Sequence, residues 1–426
     1  MTTLSCFELG ERMLSVSEAR ASLLTLVSGP LATEKVALVH AHGRVLAEAV
    51  VAAFDVPGHT NAAMDGIALN WPCAEEGVGG PLAGESPAEW RLVGQALAGQ
   101  PWQGRLGPGE CISITTGAPL PEGANTVIMQ EQVTISGDQV NIDSADRVKG
   151  GQHVRMAGED ITRGQVALEA GSRIDAAALG FLASLGQADV TVRCRPRVAV
   201  FSTGDEVTAP GDGRDAAAIY DANRYSLIGL LQEHGAEVMD LGIVRDDDNA
   251  LVARLTEAAE VADLVISSGG VSVGQADYTK AAVESMGRLT LWRIALRPGR
   301  PMACGTLGEQ QVPFLGLPGN PVACMVTFLC FVAPLLRVML GISQAPLRQR
   351  AVADGRFNSR LGRTDFCRGR LSCDEDGRLH VMPTGAQGSG ILSSMVAADC
   401  LVEVGDDMEN ANPGDTVTIH PLFRFP

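Results

Sequence analysis

The sequence predicts a multidomain α/β plus β protein in which a doubly wound, mostly parallel sheet is flanked by β-rich modules. Three observations predict it. Strand-like and helix-like apolar runs alternate between Arg195-Pro196 and Pro346, short apolar pieces punctuated by Gly and Pro lie on either side, and 426 residues exceed what one hydrophobic core supports.

At the N-terminus, Ser15-Val-Ser-Glu18 has capping-box spacing and predicts a helix to about Val27, before Gly29-Pro30. Val36 to Val51 predicts a short strand and turn. Asp55 to Gly66 is too turn-rich for regular structure. Glu75 to Gly109 and Thr126 to Ile142, the latter read as two strands around Gly137-Asp138, predict a β-rich module. Lys149 to Ile174 repeats Gly-centred turns at Gly150-Gly151, Gly158, Gly164 and Gly171, a pattern for short strands or a barrel.

From Arg195-Pro196 the alternation begins. Strands are expected at Val198–Phe201, Glu237–Val244, Leu264–Ser267, Leu289–Ile294 and Phe314–Leu317. Helices are expected at Tyr225–His234, Ala250–Ala259 and Tyr278–Met286, the first and last ended by Gly235 and Gly287. Strands alternating with helices imply a parallel sheet covered on both faces. The apolar run Val322 to Leu336 carries Pro334, falls short of the ~20 residues that span a bilayer, and reads as a buried helix. After Pro346 the chain returns to short strands.

Charge narrows the function. Fifty acidic residues against 33 basic ones leave a net −17, which opposes a nucleic-acid or acidic-membrane surface. Local arginines and helix N-termini can still hold a small anion. Ten cysteines without a CxxC pair, several in apolar runs, read as reduced buried thiols rather than a disulfide or zinc framework. The first 13 residues lack the basic start and apolar stretch of a signal peptide, so a cytoplasmic location is expected.

In an open parallel sheet, ligands bind beyond the carboxyl ends of the strands. Those ends lead into Ser202-Thr-Gly-Asp-Glu206, Arg245-Asp-Asp-Asp248, Ser267-Ser-Gly-Gly-Val-Ser-Val-Gly274, Arg297-Pro-Gly-Arg-Pro301 and Leu317-Pro-Gly-Asn-Pro321, all expected on one rim. Consecutive backbone N–H groups in the Ser267–Gly274 loop can cradle a phosphate; a tight strand-to-helix turn is the bland alternative. The loop is neither a Walker A sequence nor GxGxxG. Asn320-Pro321 is equally well an N-cap and first helical residue. Glu206, Asp246 and Asp277 fall on three separate loops of the rim, and carboxylates converging beside phosphate suit Mg²⁺. Capping is the alternative, favoured for Asp247 and Asp248. Arg293, Arg297 and Arg300 make either an anion clamp or solvated surface. No nucleophilic triad and no histidine metal spacing is present, and on spacing alone Asp65 is an ordinary turn residue.

Asp55-Val-Pro-Gly58, Asn61-Ala-Ala-Met-Asp-Gly66, Thr116-Gly-Ala-Pro119, Gly158-Glu-Asp160, Phe201-Ser-Thr-Gly-Asp-Glu206 and Arg245-Asp-Asp247 occur in order. They are followed by Ser267–Gly274, Ala276-Asp-Tyr-Thr-Lys280, Leu317–Pro321, Arg368-Gly369 and Gln387-Gly-Ser389. Each segment alone is weak; in this order, over nearly the whole chain, they resemble the molybdopterin molybdenumtransferase family, enzymes related to the C-terminal domain of gephyrin. The resemblance implies four domains: an elongated N-terminal region (1–60 and 146–195), an inserted β-rich domain (61–145), an α/β pterin-binding domain (196–345) and a C-terminal β-barrel (346–426). It implies a homodimer whose active site is shared between subunits, leaving room for contact with other cofactor-biosynthesis enzymes. The implied reaction is Mg²⁺-dependent: adenylyl-molybdopterin and molybdate give AMP and molybdenum-loaded molybdopterin.

By the same resemblance, Asp65, Thr116, Arg155 and Asp160 of one subunit meet the rim of the other. Glu206, Asp246 and Asp277 organise magnesium and the phosphate end, and Asp65 and Asp160 orient water or the dithiolene end. Ser268, Gly269, Gly270 and Ser272 hold the pterin or phosphate. Arg293, Arg297, Arg300, Arg368 and Ser389, with Pro298 and Pro301 shaping the loop, position oxyanions. The chain departs from the family pattern at His59-Thr60, at the three arginines where lysines are frequent, and at Ala386 in place of a common His. Two other functions compete. One is the preceding adenylation step, whose enzymes share the Ser-Gly-Gly loop but are commonly single-domain. The other is a scaffold, which has no need of a carboxylate-lined rim.

Overall fold

A computed structural model describes residues 13–72, 89–244, 248–269 and 276–422, the side chains of 248–250 and 276–280 excepted. At its centre is a seven-stranded sheet, whose strands and covering helices follow one another along the chain. They are β1 (Met13–Leu14), α1 (Val16–Leu24), β2 (Arg197–Thr203), α2 (Asn223–Glu233), β3 (Glu237–Val244), α3 (Asp248–Val261), β4 (Leu264–Ser268), α4 (Ala276–Met286), β5 (Gly287–Ile294), β6 (Pro301–Leu307), β7 (Val312–Leu317) and the long helix α5 (Pro321–Met339). The strand order is β1-β5-β6-β7-β4-β2-β3. Every pairing is parallel except those of β6, which runs against both neighbours.

Alternation along the strands builds the two layers. Val198 and Val200 of β2 and Ile266 of β4 pack with Leu227, Leu231, Val322 and Phe331 beneath α2 and α5. Ala199, Phe201 and Val265 face the opposite way, onto Leu251, Leu255, Ala282 and Val283 of α3 and α4. Burial on both faces is the doubly wound arrangement the sequence predicts. The Ser15 capping box is present, with Glu18 N–H donating to Ser15 Oγ at 3.2 Å, although the helix ends at Leu24 rather than Val27. Leu14, Val16, Ala19 and Leu23 complete the α2–α5 core, so the first described segment belongs to this layer.

Helix α5 is apolar apart from Thr327 and Arg337 and mostly buried, with a π-helical stretch at Phe328–Val332 just before Pro334. Proline cannot donate to the carbonyl one turn back. That carbonyl, Cys330 O, instead accepts from Arg20 Nε at 3.0 Å. The strand β6 is an addition to the sequence reading, which assigned no element between Pro301 and Phe314. Helix α4 ends at Met286, before Gly287, as the sequence predicts, and Gly287 opens β5 directly, where a Cβ would lie 2.0 Å from Thr306 O.

The inserted module is a six-stranded sheet including Gly66–Leu69, Glu110–Ile114 and Thr126–Met129, and Thr126 to Ile142 forms three strands rather than two. The N-terminal region adds two-stranded ribbons, Thr33–Ala37 with Asp189–Arg193, Val50–Val51 with Val166–Leu168 and Asn61–Ala62 with Val154–Arg155, and the helix Ala176–Ser184. At the C-terminus five strands close into a barrel: Gln349–Ala353, Thr364–Cys373, Leu379–Pro383, Cys400–Val404 and Thr416–Pro421. The short strand Leu296–Arg297 leaves the α/β layer and pairs in parallel with Thr364–Asp365, which fixes the barrel against the rim.

Candidate active site

The carboxyl ends of β2, β4 and β7 converge, and glycine makes this possible. Gly269 follows β4 at φ +89°, and a Cβ there would lie 2.7 Å from Thr203 O at the end of β2. Only glycine combines that conformation with so close an approach. One side chain ties the ends together: Asn223, at the start of α2, donates from Nδ2 to Ser268 Oγ and to Gly319 O, each at 2.7 Å.

Beneath Asn223 lies a buried ionic network. Asp221 is 3% exposed and accepts from Ser202 Oγ at 2.9 Å and Arg224 Nε at 2.8 Å. Arg224 also pairs with Asp240 of β3. Burial works against charge on Arg224, but its hydrogen bonds to Asp221 and Asp240 outweigh it and hold the guanidinium above its ordinary value. The network fixes the N-terminus of α2 against two strand ends.

Above these ends opens a cavity of about 810 Å³ between the α/β rim and the barrel. Thr203, Gly204 and Glu206 form one wall, Gly269, Pro318 and Gly319 the floor, and Arg297, Pro298, Gly299, Arg300 and Pro301 the opposite wall. The barrel adds Arg363, Gln387, Gly388 and Ser389. Gly299, at φ +114°, is packed so closely that a Cβ would lie 2.4 Å from Thr327 Cγ2. A chain of net charge −17 thus concentrates three guanidinium groups around one opening. Such a cavity suits a phosphate-bearing anion of nucleotide size.

A smaller cavity of about 120 Å³ shares Arg297, Pro298 and Gln387 with the first and contains Arg368. Arg368 is 1% exposed and donates to Ser394 Oγ at 3.0 Å and Gly388 O at 3.2 Å. Its neighbour Gly369 must be glycine, since a Cβ would lie 2.5 Å from Val381 Cγ2 inside the barrel. The thiol that lines this cavity is not activated: burial pushes Cys367 up to about 11, and it pushes Cys324, beside Ser268, up to about 12.

Of the residues the sequence singles out, Glu206, Gly269, Arg297, Pro298, Arg300, Pro301 and Ser389 share the main cavity, and Arg368 lines the smaller one. Ser268 is buried behind the floor. Arg293 is exposed on β5, paired in register with Met13 and Pro301, and lines neither cavity. Asp246, Gly270 and Ser272, and the side chain of Asp277, lie outside the described residues.

Asp65, Thr116, Arg155 and Asp160 line neither cavity of their own chain. Asp65 accepts from Thr116 N at 2.6 Å and Thr116 Oγ1 at 2.9 Å, and the backbone bond first, then the hydroxyl, holds its carboxyl below the usual range. Arg155 pairs in register with Asn61. Asp160 N–H donates to Val56 O. Sequence reasoning missed Asp221, Asn223, Arg224 and Arg363. Asp221-Ala-Asn223 has the residue types of a helix start, which was the available signal.

Doubly wound sheet, closed barrel and a cation-walled cavity at a strand-end rim together define an α/β protein with a setting suited to an anionic ligand. Family models match in succession: the MoeA N-terminal region (domain I and II) over 14–186, the probable molybdopterin binding domain over 199–338 and the MoeA C-terminal region (domain IV) over 350–422. A molybdopterin molybdenumtransferase of Haemophilus influenzae is 38% identical over 412 residues, covering 96% of this chain and 99% of the relative. Molybdopterin molybdenumtransferase 1 of Mycobacterium tuberculosis is 32% identical, covering 96% and 98%. The crystal structure of a molybdopterin biosynthesis moeA protein from Pyrococcus horikoshii superposes with a TM-score of 0.79 at 29% identity, over 96% of this chain and all of that one. The chain belongs to the molybdopterin molybdenumtransferase family, as its ordered motifs imply.

Proposed function

We propose that this chain is the molybdenum-inserting transferase of molybdenum cofactor biosynthesis, and that it takes adenylyl-molybdopterin and molybdate and releases AMP with the metal-loaded pterin. The observation that carries this reading is the main cavity, with a carboxylate on one wall and guanidinium groups on the other. Arg297 and Arg300 neutralise the phosphate and oxyanion charge, Ser389 donates to an oxygen, and the Gly269 turn brings backbone close to the ligand. Phosphoanhydride cleavage requires positioning and charge neutralisation more than a protein nucleophile.

Magnesium belongs to this reading. Among the described residues no group of three metal-ligating side chains is preassembled, and Glu206 is the cavity's one carboxylate among those residues. That donor set fits Mg²⁺, which usually takes one or two carboxylates together with substrate phosphates. Gly204 leaves room for it: a Cβ there would lie 2.8 Å from Glu206 Oε2. Glu206 would hold the ion, with Asp246 and Asp277 beside it, and the ion would supply charge neutralisation at the phosphates.

We further propose a homodimer in which Asp65, Thr116, Arg155 and Asp160 of the partner complete the cavity, since in their own chain they stand apart from it. The site is expected in the cytoplasm, in keeping with free buried thiols such as Cys324 and Cys330. The adenylation reading is disfavoured by the N-terminal and barrel regions, which that step does not need. The test is AMP release from adenylyl-molybdopterin. Release that requires both molybdate and Mg²⁺ supports the proposal, whereas adenylyl-pterin formation from ATP, or no turnover, rejects it.

A further inference from the structure

The smaller cavity has an unusual charge balance. Arg368 is buried in it and Arg297 stands at its shared wall, and neither has a carboxylate within ion-pair distance among the described residues. Burial pushes the Arg368 guanidinium below its ordinary value, and the nearby Arg297 charge acts in the same sense. Arg297 is exposed, but Arg368 is a buried cation without a counterion, and such a group calls for an anion.

One carboxylate nevertheless lines this cavity. Asp365 is 1% exposed and is held alongside Arg297 by the parallel register of Leu296–Arg297 with Thr364–Asp365. Its Oδ2 accepts from Arg363 Nε at 3.2 Å and lies 3.2 Å from Arg363 Nη2, which fixes a cation of the main cavity. Its Oδ1 is buried and has no hydrogen-bond partner. A buried acceptor left alone is costly, so this oxygen asks the occupant for a donor.

Resting on the reading of this protein as a molybdate user, we infer that Asp365 determines which oxyanion the small cavity accepts, by requiring an O–H on the side facing its free oxygen. Sulfate is the conjugate base of a strong acid and carries no proton near neutral pH. Molybdate is the base of a weaker acid and takes up a proton more readily, and phosphate already carries one. Arg297 and Arg368 attract all three, while Asp365 turns sulfate away. A site built around a hydrogen bond rejects the analogue that cannot make it more strongly than any difference in size would.

The test is equilibrium binding of molybdate, phosphate and sulfate to the full-length protein near neutral pH. Wild type is expected to bind molybdate and phosphate, with sulfate weaker by about tenfold to a hundredfold, the range that follows from an unpaired buried acceptor. Asp365→Asn keeps the side-chain size, accepts from Arg363 through its carbonyl and turns an N–H toward the cavity, so it is expected to bind sulfate as well as molybdate. Equal affinity of wild type for sulfate and molybdate, absence of any oxyanion binding, or an unchanged ratio in a folded Asp365→Asn protein overturns the inference. If the variant does not fold, the wild-type series decides alone. Molybdate-dependent AMP release by wild type separates the two claims: with release intact and no discrimination, only the role of Asp365 falls, whereas without release the reading beneath it falls as well.

Discussion

Acidic and cationic side chains gather in two regions of this chain, and they are held in different ways. In the cavity they rest on buried supports: Asn223 joins two strand ends, Asp221 and Arg224 anchor the helix behind them, and Asp365 braces Arg363. In the N-terminal region Asp65 is exposed, and Thr116 alone is its side-chain partner. The first region is held in place by these buried contacts, which is the preorganisation the proposed anion site requires. The second is exposed and shaped by local turns, and under the proposed function it serves only when it meets the cavity of another chain.

Removing a support from the first region is expected to have the largest effect. Asp221→Ala leaves Arg224 buried with a single carboxylate partner, and a loss of roughly 3 kcal/mol in stability is expected, read by denaturant unfolding. A loss below 1 kcal/mol would show that the network does not support the rim. Next in size, Glu206→Gln should lower molybdate-dependent AMP release about a hundredfold with an unchanged unfolding midpoint, because Glu206 is exposed and supports nothing structural. Activity within twofold of wild type would remove Glu206 from the site.

The second region is tested by mixing. If the Asp65 cluster of one chain completes the cavity of another, inactive Asp65→Asn and inactive Glu206→Gln proteins, unfolded and refolded together, should recover about a quarter of wild-type activity, since half the dimers then carry one intact site. No recovery would confine the site to one chain. The smallest effect concerns pH. The folded-state value of Asp65 is depressed by its Thr116 hydrogen bonds, so the stability they contribute is present above the ordinary carboxylate value of about 4 and is lost as pH falls through the lower folded value. Amide exchange at Thr116 should accelerate across that acid window and not near neutrality.

The same contrast governs what could be read from the sequence. Strand ends announce themselves, because apolar runs such as Leu264–Ile266 stop at glycine, and a parallel sheet then sends those glycines to one rim. Glu206, Gly269 and Arg297 were legible for that reason. Strand β6 was not: Met302-Ala-Cys-Gly-Thr306 is buried without alternation and follows a loop rich in Pro and Arg. Asp221, Arg224 and Asp365 were not legible either. An acid before a helix reads as a cap and an arginine as solvated surface; only the packing of distant segments reveals that each is buried. The cluster around Asp65 looked like turns because locally it is turns, and its place in the motif order was the only pointer to function.

The central claim is that the cavity between the α/β rim and the barrel holds the molybdate and phosphate oxygens. Crystals grown with AMP and molybdate, measured on both sides of the molybdenum absorption edge, test it most directly. The account predicts an anomalous peak within hydrogen-bonding distance of Arg297, Arg300, Ser389 or Arg368. A peak found only beside Asp65, or elsewhere on the surface with these cavities bare of metal, would contradict it.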